Sequence, residues 1–236
     1  MRNVRSRSIP EGESLTNPAR LPGRLVPHSF FELSPKFVAP RLLGKLLVHR
    51  TARGTMAGRI VEAEAYLGPH NDPPDLAAHA YRGPTPRNQV LFGPAGHAYV
   101  YSIYGRYFCM NISCEQPGKA GCVLLRALEP VAGLDQMARN RGLILNARPH
   151  ELTAGPSRLC QALGLARQSH NGLDLLDPAS PLQLWESDLA VDRILITSRI
   201  GIRRAAELPL RFAVADNPCL SGPKNLLGRY VALSSL

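Results

Sequence analysis

The stretch Val61-Glu-Ala-Glu-Ala-Tyr66 places two carboxylates and a phenol at every second position, with small apolar residues between them. In an extended strand, residues two apart face the same side. Glu62, Glu64 and Tyr66 therefore share one face, and Val61, Ala63 and Ala65 the other. A carboxylate half-buried against an aromatic surface has its charged form disfavoured, which suits it to acid–base work. The same alternation also describes a surface strand with two solvated glutamates, and it does not choose between Glu62 and Glu64.

Two neighbouring segments add further chemistry. Gly68 to Asn88 is an irregular polar stretch holding His70, Asp72, Asp75, His79, Arg82 and Arg87. Long loops of this kind in compact domains are usually functional. Its acids and histidines have no established metal-ligand spacing, so no metal is expected. Then follow Tyr99, Tyr101, Tyr104, Tyr107 and Phe108, and after them Cys109-Met-Asn111. Tyrosines on strands are often plain packing, but on a basic protein they also suit base stacking. Tyr104-Gly105, at the tip of a hairpin, is the candidate for wedging into a base stack.

The elements that must hold these groups follow from patterning. Phe31 to Gly44 has helical spacing, with Pro35 and Pro40 expected at turns or helix starts. Strands are predicted over Lys45–Arg50, Gly58–Tyr66, Ala98–Tyr104, Tyr107–Ser113 and Gly121–Glu129, then over Leu182–Glu186, Arg193–Ile202 and Leu210–Ala215. Helices are predicted over Val131–Arg141 and Ser157–Leu165, the second opened by Gly155-Pro156. Strands first and last with helices grouped between them read as a single mixed α+β domain over residues 27–220. Before it, residues 1–26 read as a flexible basic tail, and after it 221–236 are loosely patterned.

Composition narrows the partner. The net charge is +10, from 24 arginines and only four lysines against 18 acids. Genomic base composition accounts for the Arg-to-Lys ratio, but not for the shortage of acids. A positive field of this size attracts polyanions, so nucleic acid is the leading partner class. The apolar runs are broken by charges, which excludes a membrane span, and the N-terminal stretch has no signal-like apolar core. Five cysteines without CxxC spacing argue against zinc, an iron–sulfur cluster or a disulfide framework and read as reduced, packed thiols.

The order of segments resembles the alkyladenine (3-methyladenine) DNA glycosylase family across roughly residues 30–218. The resemblance is carried by Gly58-Arg-Ile-Val-Glu-Ala-Glu-Ala-Tyr-Leu-Gly-Pro69, Ala77-Ala-His79, Pro86-Arg-Asn88, Tyr99-Val-Tyr-Ser-Ile-Tyr-Gly105 and Tyr107-Phe-Cys-Met-Asn-Ile-Ser113. It continues through Cys122-Val-Leu-Leu-Arg-Ala-Leu-Glu-Pro130, Gly155-Pro-Ser-Arg-Leu-Cys-Gln-Ala-Leu163 and Arg199-Ile-Gly-Ile202.

The resemblance implies a bacterial, monomeric, cofactor-free enzyme of the nucleoid. It would flip alkylated or deaminated purines out of double-stranded DNA and excise them hydrolytically. By resemblance, Glu64 activates the water, Arg126 helps hold it, and the backbone at Ile200 adds a contact. Tyr66, His79 and Tyr101 would enclose the base, Asn111 would discriminate against guanine's exocyclic amine, and Tyr104 would fill the gap in the duplex. Arg87, Asn88, Arg106, Ser157 and Arg158 are the expected backbone contacts. A fold of mainly antiparallel, curved sheet with flanking helices and a protruding hairpin is implied as well. The lysines lie outside the matching catalytic segments, so strand cleavage through an amine is not expected. A non-catalytic nucleic-acid-binding module and a metal-dependent nuclease are the competing readings. Ala154 and Arg106 depart from the family pattern, and the Glu64-to-His79 loop is longer than in vertebrate-type members.

Overall fold

One long strand carries the Glu-x-Glu-x-Tyr face, and the rest of the sheet is arranged around it. The computed structural model describes residues 23–72, 74–188, 190–222 and 228–235. In chain order its strands are β1 (Leu46–Thr51), β2 (Gly54–Tyr66), β3 (Ala98–Ile103), β4 (Tyr107–Cys114) and β5 (Gly121–Ala132), then β6 (Leu182–Trp185), β7 (Arg193–Thr197), β8 (Arg211–Val214) and β9 (Arg229–Ala232). They form a nine-stranded sheet in the order β3-β4-β5-β2-β8-β7-β9, with β1 pairing both β2 and β6. Every strand pair is antiparallel. With the flanking helices α1 (Pro35–Leu42), α2 (Leu134–Arg141), α3 (Pro149–Thr153), α4 (Pro156–Leu163) and α5 (Arg167–His170), this is the expected α+β domain.

The two faces of β2 meet different surroundings. Ala63 and Ala65 enter the main core with Leu42, Leu47, Ile60 and Leu125, onto which α1, α2 and α4 pack. Tyr66 joins a second apolar cluster with Tyr99, Tyr101, Cys109, Cys122 and Leu124 on the opposite face. All five cysteines are buried and unpaired. The alternation read from the sequence holds from Glu62 to Tyr66 but not for Val61, which packs with Ala127 and Cys219 while Ile60 takes the core face of Ala63 and Ala65. The β2–β5 register shifts around Glu62, opposite Ala127. Such a break in the ladder re-aims side chains locally, here at the level of Glu62 and Arg126.

Several bounds differ from expectation. Pro35 opens α1 at its first position, but Pro40 lies inside the same helix rather than at a start or turn. Being near the end of an eight-residue helix, it removes only one intrahelical donor. The strand expected over Arg193–Ile202 stops at Thr197, because Arg199 to Ile202 turn away, with Gly201 at a φ of 78° that favours glycine. The short helices α3 and α5 were not expected. The 221–236 segment supplies Ser221, which is buried, and β9, which pairs with β7. Most of the 1–26 tail lies outside the described residues.

Candidate active site

β2 brings Tyr66 to the wall of a cavity of about 290 Å³ beside the aromatic cluster, and carries Glu62 and Glu64 alongside it. Both glutamates are fully buried. Burying a carboxylate is expensive unless donors surround it, and each has its own set. Glu64 Oε1 accepts the Ile200 N–H at 2.8 Å and lies 3.2 Å from Arg126 Nη1, while its Oε2 accepts the Tyr66 hydroxyl at 3.0 Å. Tyr66, Arg126 and Ile200 all line the cavity, so the Glu64 carboxylate sits one hydrogen bond behind its wall.

Glu62 is more completely engaged. Its Oε1 accepts Arg126 Nε at 2.9 Å, Arg211 Nε at 2.7 Å and the Ser221 hydroxyl at 2.9 Å, and its Oε2 accepts the Ser221 N–H at 2.6 Å. Arg126 thus bridges the two carboxylates with different nitrogens. Burial works against its charge, but Glu64 and Glu62 outweigh that cost and hold the guanidinium above its ordinary pKa.

A further buried ion pair braces the same wall. Arg199 grips Asp75 through two nitrogens, at 2.6 and 2.9 Å, and donates to the Ala65 and Ala205 carbonyls. Its guanidinium carbon lies 4.6 Å from the centre of the Tyr66 ring, a cation–π contact. Asp75 in turn accepts the Leu67 and Ala77 N–H groups, which ties the long 68–88 loop to the end of β2. At the loop's start, Gly68 lies so close to Lys119 that a Cβ would come within 1.9 Å of its carbonyl oxygen. Sequence reasoning placed Asp75 among possible metal ligands and missed Arg199, Arg211 and Ser221. Arg199 opens the Arg199-Ile-Gly-Ile202 segment, so its position next to Ile200 was the available signal.

The aromatic groups converge on the cavity from β3 and the loop. Tyr99 and Tyr101 stack at 5.1 Å, and His79 meets Tyr101 edge-on at 4.6 Å. His79 Nδ1 is 3.1 Å from the Tyr99 hydroxyl. Surrounding protein, and then the nearby Arg87 charge, lower the His79 pKa, so its ring is neutral at pH 7. Burial, with the neighbouring Glu64 charge, pushes the Tyr66 phenol well above its ordinary value, and burial does the same to Tyr101. The phenols therefore keep their protons. Asn111, on β4 opposite Tyr99, completes the lining together with Cys109, Cys122 and Ile202.

The remaining residues predicted from sequence lie around the rim. Tyr104 is 92% exposed at the β3–β4 turn, where it and Gly105 both have positive φ. The exposed Arg106 follows it. Arg87 lies over the Tyr101 ring at 5.4 Å and donates to the Ser102 carbonyl. Asn88 is the exception: it is buried, its amide donating to the His79 and Gly83 carbonyls while its oxygen accepts from Thr85. Ser157, half-buried, and Arg158, exposed, stand in the first turn of α4, beside Cys109. The loop acids and histidines do not gather into a metal site: among the described residues no three of His, Cys, Asp and Glu cluster as ligands. No helix among the described residues is long and apolar enough to cross a membrane.

Known proteins share this arrangement of segments. Residues 29–218 match the methylpurine-DNA glycosylase family. A protein of Koribacter versatilis named "Putative 3-methyladenine DNA glycosylase" is 47% identical over 204 residues, covering 85% of this chain and 95% of its own. Relatives of the same name from Methanoculleus marisnigri and Rhodopseudomonas palustris are 50% and 46% identical, over 79% and 88% of this chain and 93% and 92% of theirs. The chain belongs to the methylpurine-DNA glycosylase family, a family of DNA N-glycosylases.

Proposed function

We propose that the protein acts as a monomer on double-stranded DNA, flips a damaged purine into its cavity and hydrolyses the N-glycosidic bond without cutting the strand. The observation that carries this reading is the buried Glu64 carboxylate directly behind a wall of Tyr66, Arg126 and Ile200. C1′ of a stacked nucleotide is out of reach, so the nucleotide must leave the duplex, at a cost of a few kcal/mol that is least where pairing is already weak. Methylated and deaminated purines meet that condition, and 3-methyladenine, 7-methylguanine, hypoxanthine and ethenoadenine form the proposed substrate class.

In this mechanism Tyr66, His79 and Tyr101 enclose the flipped base. A purine alkylated at N3 or N7 carries positive charge, which tyrosine faces attract, and it is already a good leaving group. Water then attacks C1′, the C1′–N bond breaks, its electron pair leaves with the base, and Glu64 takes the water's proton. Oε1 is pinned by Ile200 and Arg126, whereas Oε2 accepts a single hydrogen bond among the described residues; Oε2 is thus the oxygen with capacity for that proton. The carboxylate also stabilises the positive charge developing on the sugar. Asn111 meets the exocyclic edge of the base, and Tyr104 fills the space left in the stack.

Arg87, Arg106, Ser157 and Arg158 contact the sugar-phosphate backbone, and Asn88 acts beneath them by shaping the loop that carries His79 and Arg87. The lysines favour hydrolysis over amine chemistry: Lys45 is tied to Glu186 at 2.5 Å, and Lys36, Lys45 and Lys119 do not line the cavity. Lys224 lies outside the described residues. The test is a duplex bearing one damaged purine. We expect base release that leaves an uncut, alkali-labile strand and is unaffected by a chelator. Binding without release, or release that requires a divalent cation, would contradict the proposal.

A further inference from the structure

A groove larger than the base cavity lies where β4 begins. It measures about 660 Å³ and runs between the β3–β4 hairpin and the α2–α4 pair, with Arg106 and Tyr107 on one wall and Asn140, Arg141 and Gln161 on the other. Ser157 lines this groove, and its hydroxyl lies 3.8 Å from the sulfur of Cys109, which lines the base cavity. The two sites are therefore separated by a single pair of side chains.

The charge in the groove is unbalanced. Arg141 donates from Nη1 to Gln161 Oε1 at 2.5 Å and from Nη2 to the Glu151 backbone carbonyl at 3.3 Å. Both partners are neutral, and its buried Nε has no hydrogen-bond partner among the described residues. Glu151, whose backbone carbonyl accepts from Arg141, turns its carboxylate to Arg148. Among the described residues, none of Arg106, Arg141 and Arg158 forms an ion pair. Burial first, and then the charge of Arg158 on the neighbouring helix α4, disfavour the Arg141 charge. Holding the Arg141 guanidinium on neutral supports near a second positive charge costs free energy that an anion would recover. Gln161 and the Glu151 carbonyl meanwhile fix the direction of the Arg141 fork, and a rigid fork suits the oxygens of a phosphate.

We propose that this groove is a phosphate clamp in which Arg141, with Arg158 and Arg106 beside it, grips a phosphodiester of the DNA strand next to the flipped nucleotide. The inference rests on the reading of duplex DNA as the ligand and adds Arg141 as a positioning residue for it. A contact of this kind carries no base information, so it acts on damaged and undamaged duplexes alike.

The test is duplex affinity as a function of salt, by fluorescence anisotropy, for the wild type, Arg141→Gln, Arg141→Lys and Arg158→Gln, each on lesion-containing and lesion-free DNA. Each lost phosphate contact lowers the magnitude of the slope of log K against log salt by about one. Arg141→Gln is expected to lose that amount and to weaken both duplexes by the same factor. Arg141→Lys, which keeps the charge, should recover the slope. Arg158→Gln changes an exposed side chain and tests the same clamp if Arg141→Gln folds poorly. An unchanged slope in both Gln variants overturns the proposal, as does a loss confined to lesion-containing DNA. Inorganic phosphate that competes equally with wild type and Arg141→Gln would also count against it. Base release by the wild type is read on the same duplexes: DNA binding without release defeats the proposed catalytic function yet leaves the clamp standing.

Discussion

At the scale of residues, the structure separates two glutamates that the sequence places on one face. Glu62 accepts from two arginines and both donors of Ser221, so it is the charge around which the inner wall is assembled. Glu64 shares Arg126, and among the described residues its other hydrogen-bond partners, Tyr66 and Ile200, line the cavity. Glu62→Gln, which turns an amide N–H towards these donors, should lower stability by about 3 kcal/mol or more, measured by denaturant unfolding. Alternation in Val61–Tyr66 made the shared face legible. The donors that distinguish the two carboxylates were not, because Arg211 and Ser221 lie 149 and 159 residues from Glu62 along the chain. The Asp75–Arg199 pair was hidden for the same reason, with 124 residues between its members.

At the scale of elements, eight strands were readable to within about five positions, while β9 and the short helices were not. α3 and α5 have five and four residues, too few to establish an apolar period. α5 is held instead by a contact no local pattern encodes. His49 Nδ1 donates to the Leu163 carbonyl at 2.8 Å, which leaves its Nε2 to accept from His170 Nε2 at 3.2 Å. His170 Nδ1 then accepts the Ala166 N–H. The bond between the rings requires a neutral His49 and the Ala166 bond a neutral His170, and burial lowers both pKa values from the ordinary 6.5. The unfolded chain takes up protons as the pH falls through 6.5, while the folded one resists. The stability is thus present above that pH and lost below it. The melting temperature should be lower at pH 5 than at pH 7.5, and the difference should shrink in His170→Asn. The β3–β4 hairpin behaves differently. Tyr104, almost wholly exposed, should tolerate Ala with little change in stability, while affinity for lesion-containing duplex falls and base flipping slows. Unchanged single-turnover rates would contradict the wedge role.

At the scale of the whole molecule, the proposed function divides the charge: the +10 excess, with the arginines of the rim and groove, is proposed to set the approach to DNA, and the neutralised interior the chemistry. Glu62, Glu64 and Asp75 are matched inside the fold by Arg126, Arg199 and Arg211, so the binding field comes from the outer arginines. Affinity for undamaged duplex should accordingly fall steeply with salt, as filter or anisotropy binding would record. The account stands or falls on the division of labour between the two buried carboxylates. Its most direct test is single-turnover base release from a duplex bearing one damaged purine, comparing the wild type with Glu64→Gln at saturating protein. Glu64→Gln should still bind the duplex and release the base about 10² to 10⁴-fold more slowly. Release at the wild-type rate by a folded, DNA-bound Glu64→Gln would contradict the account.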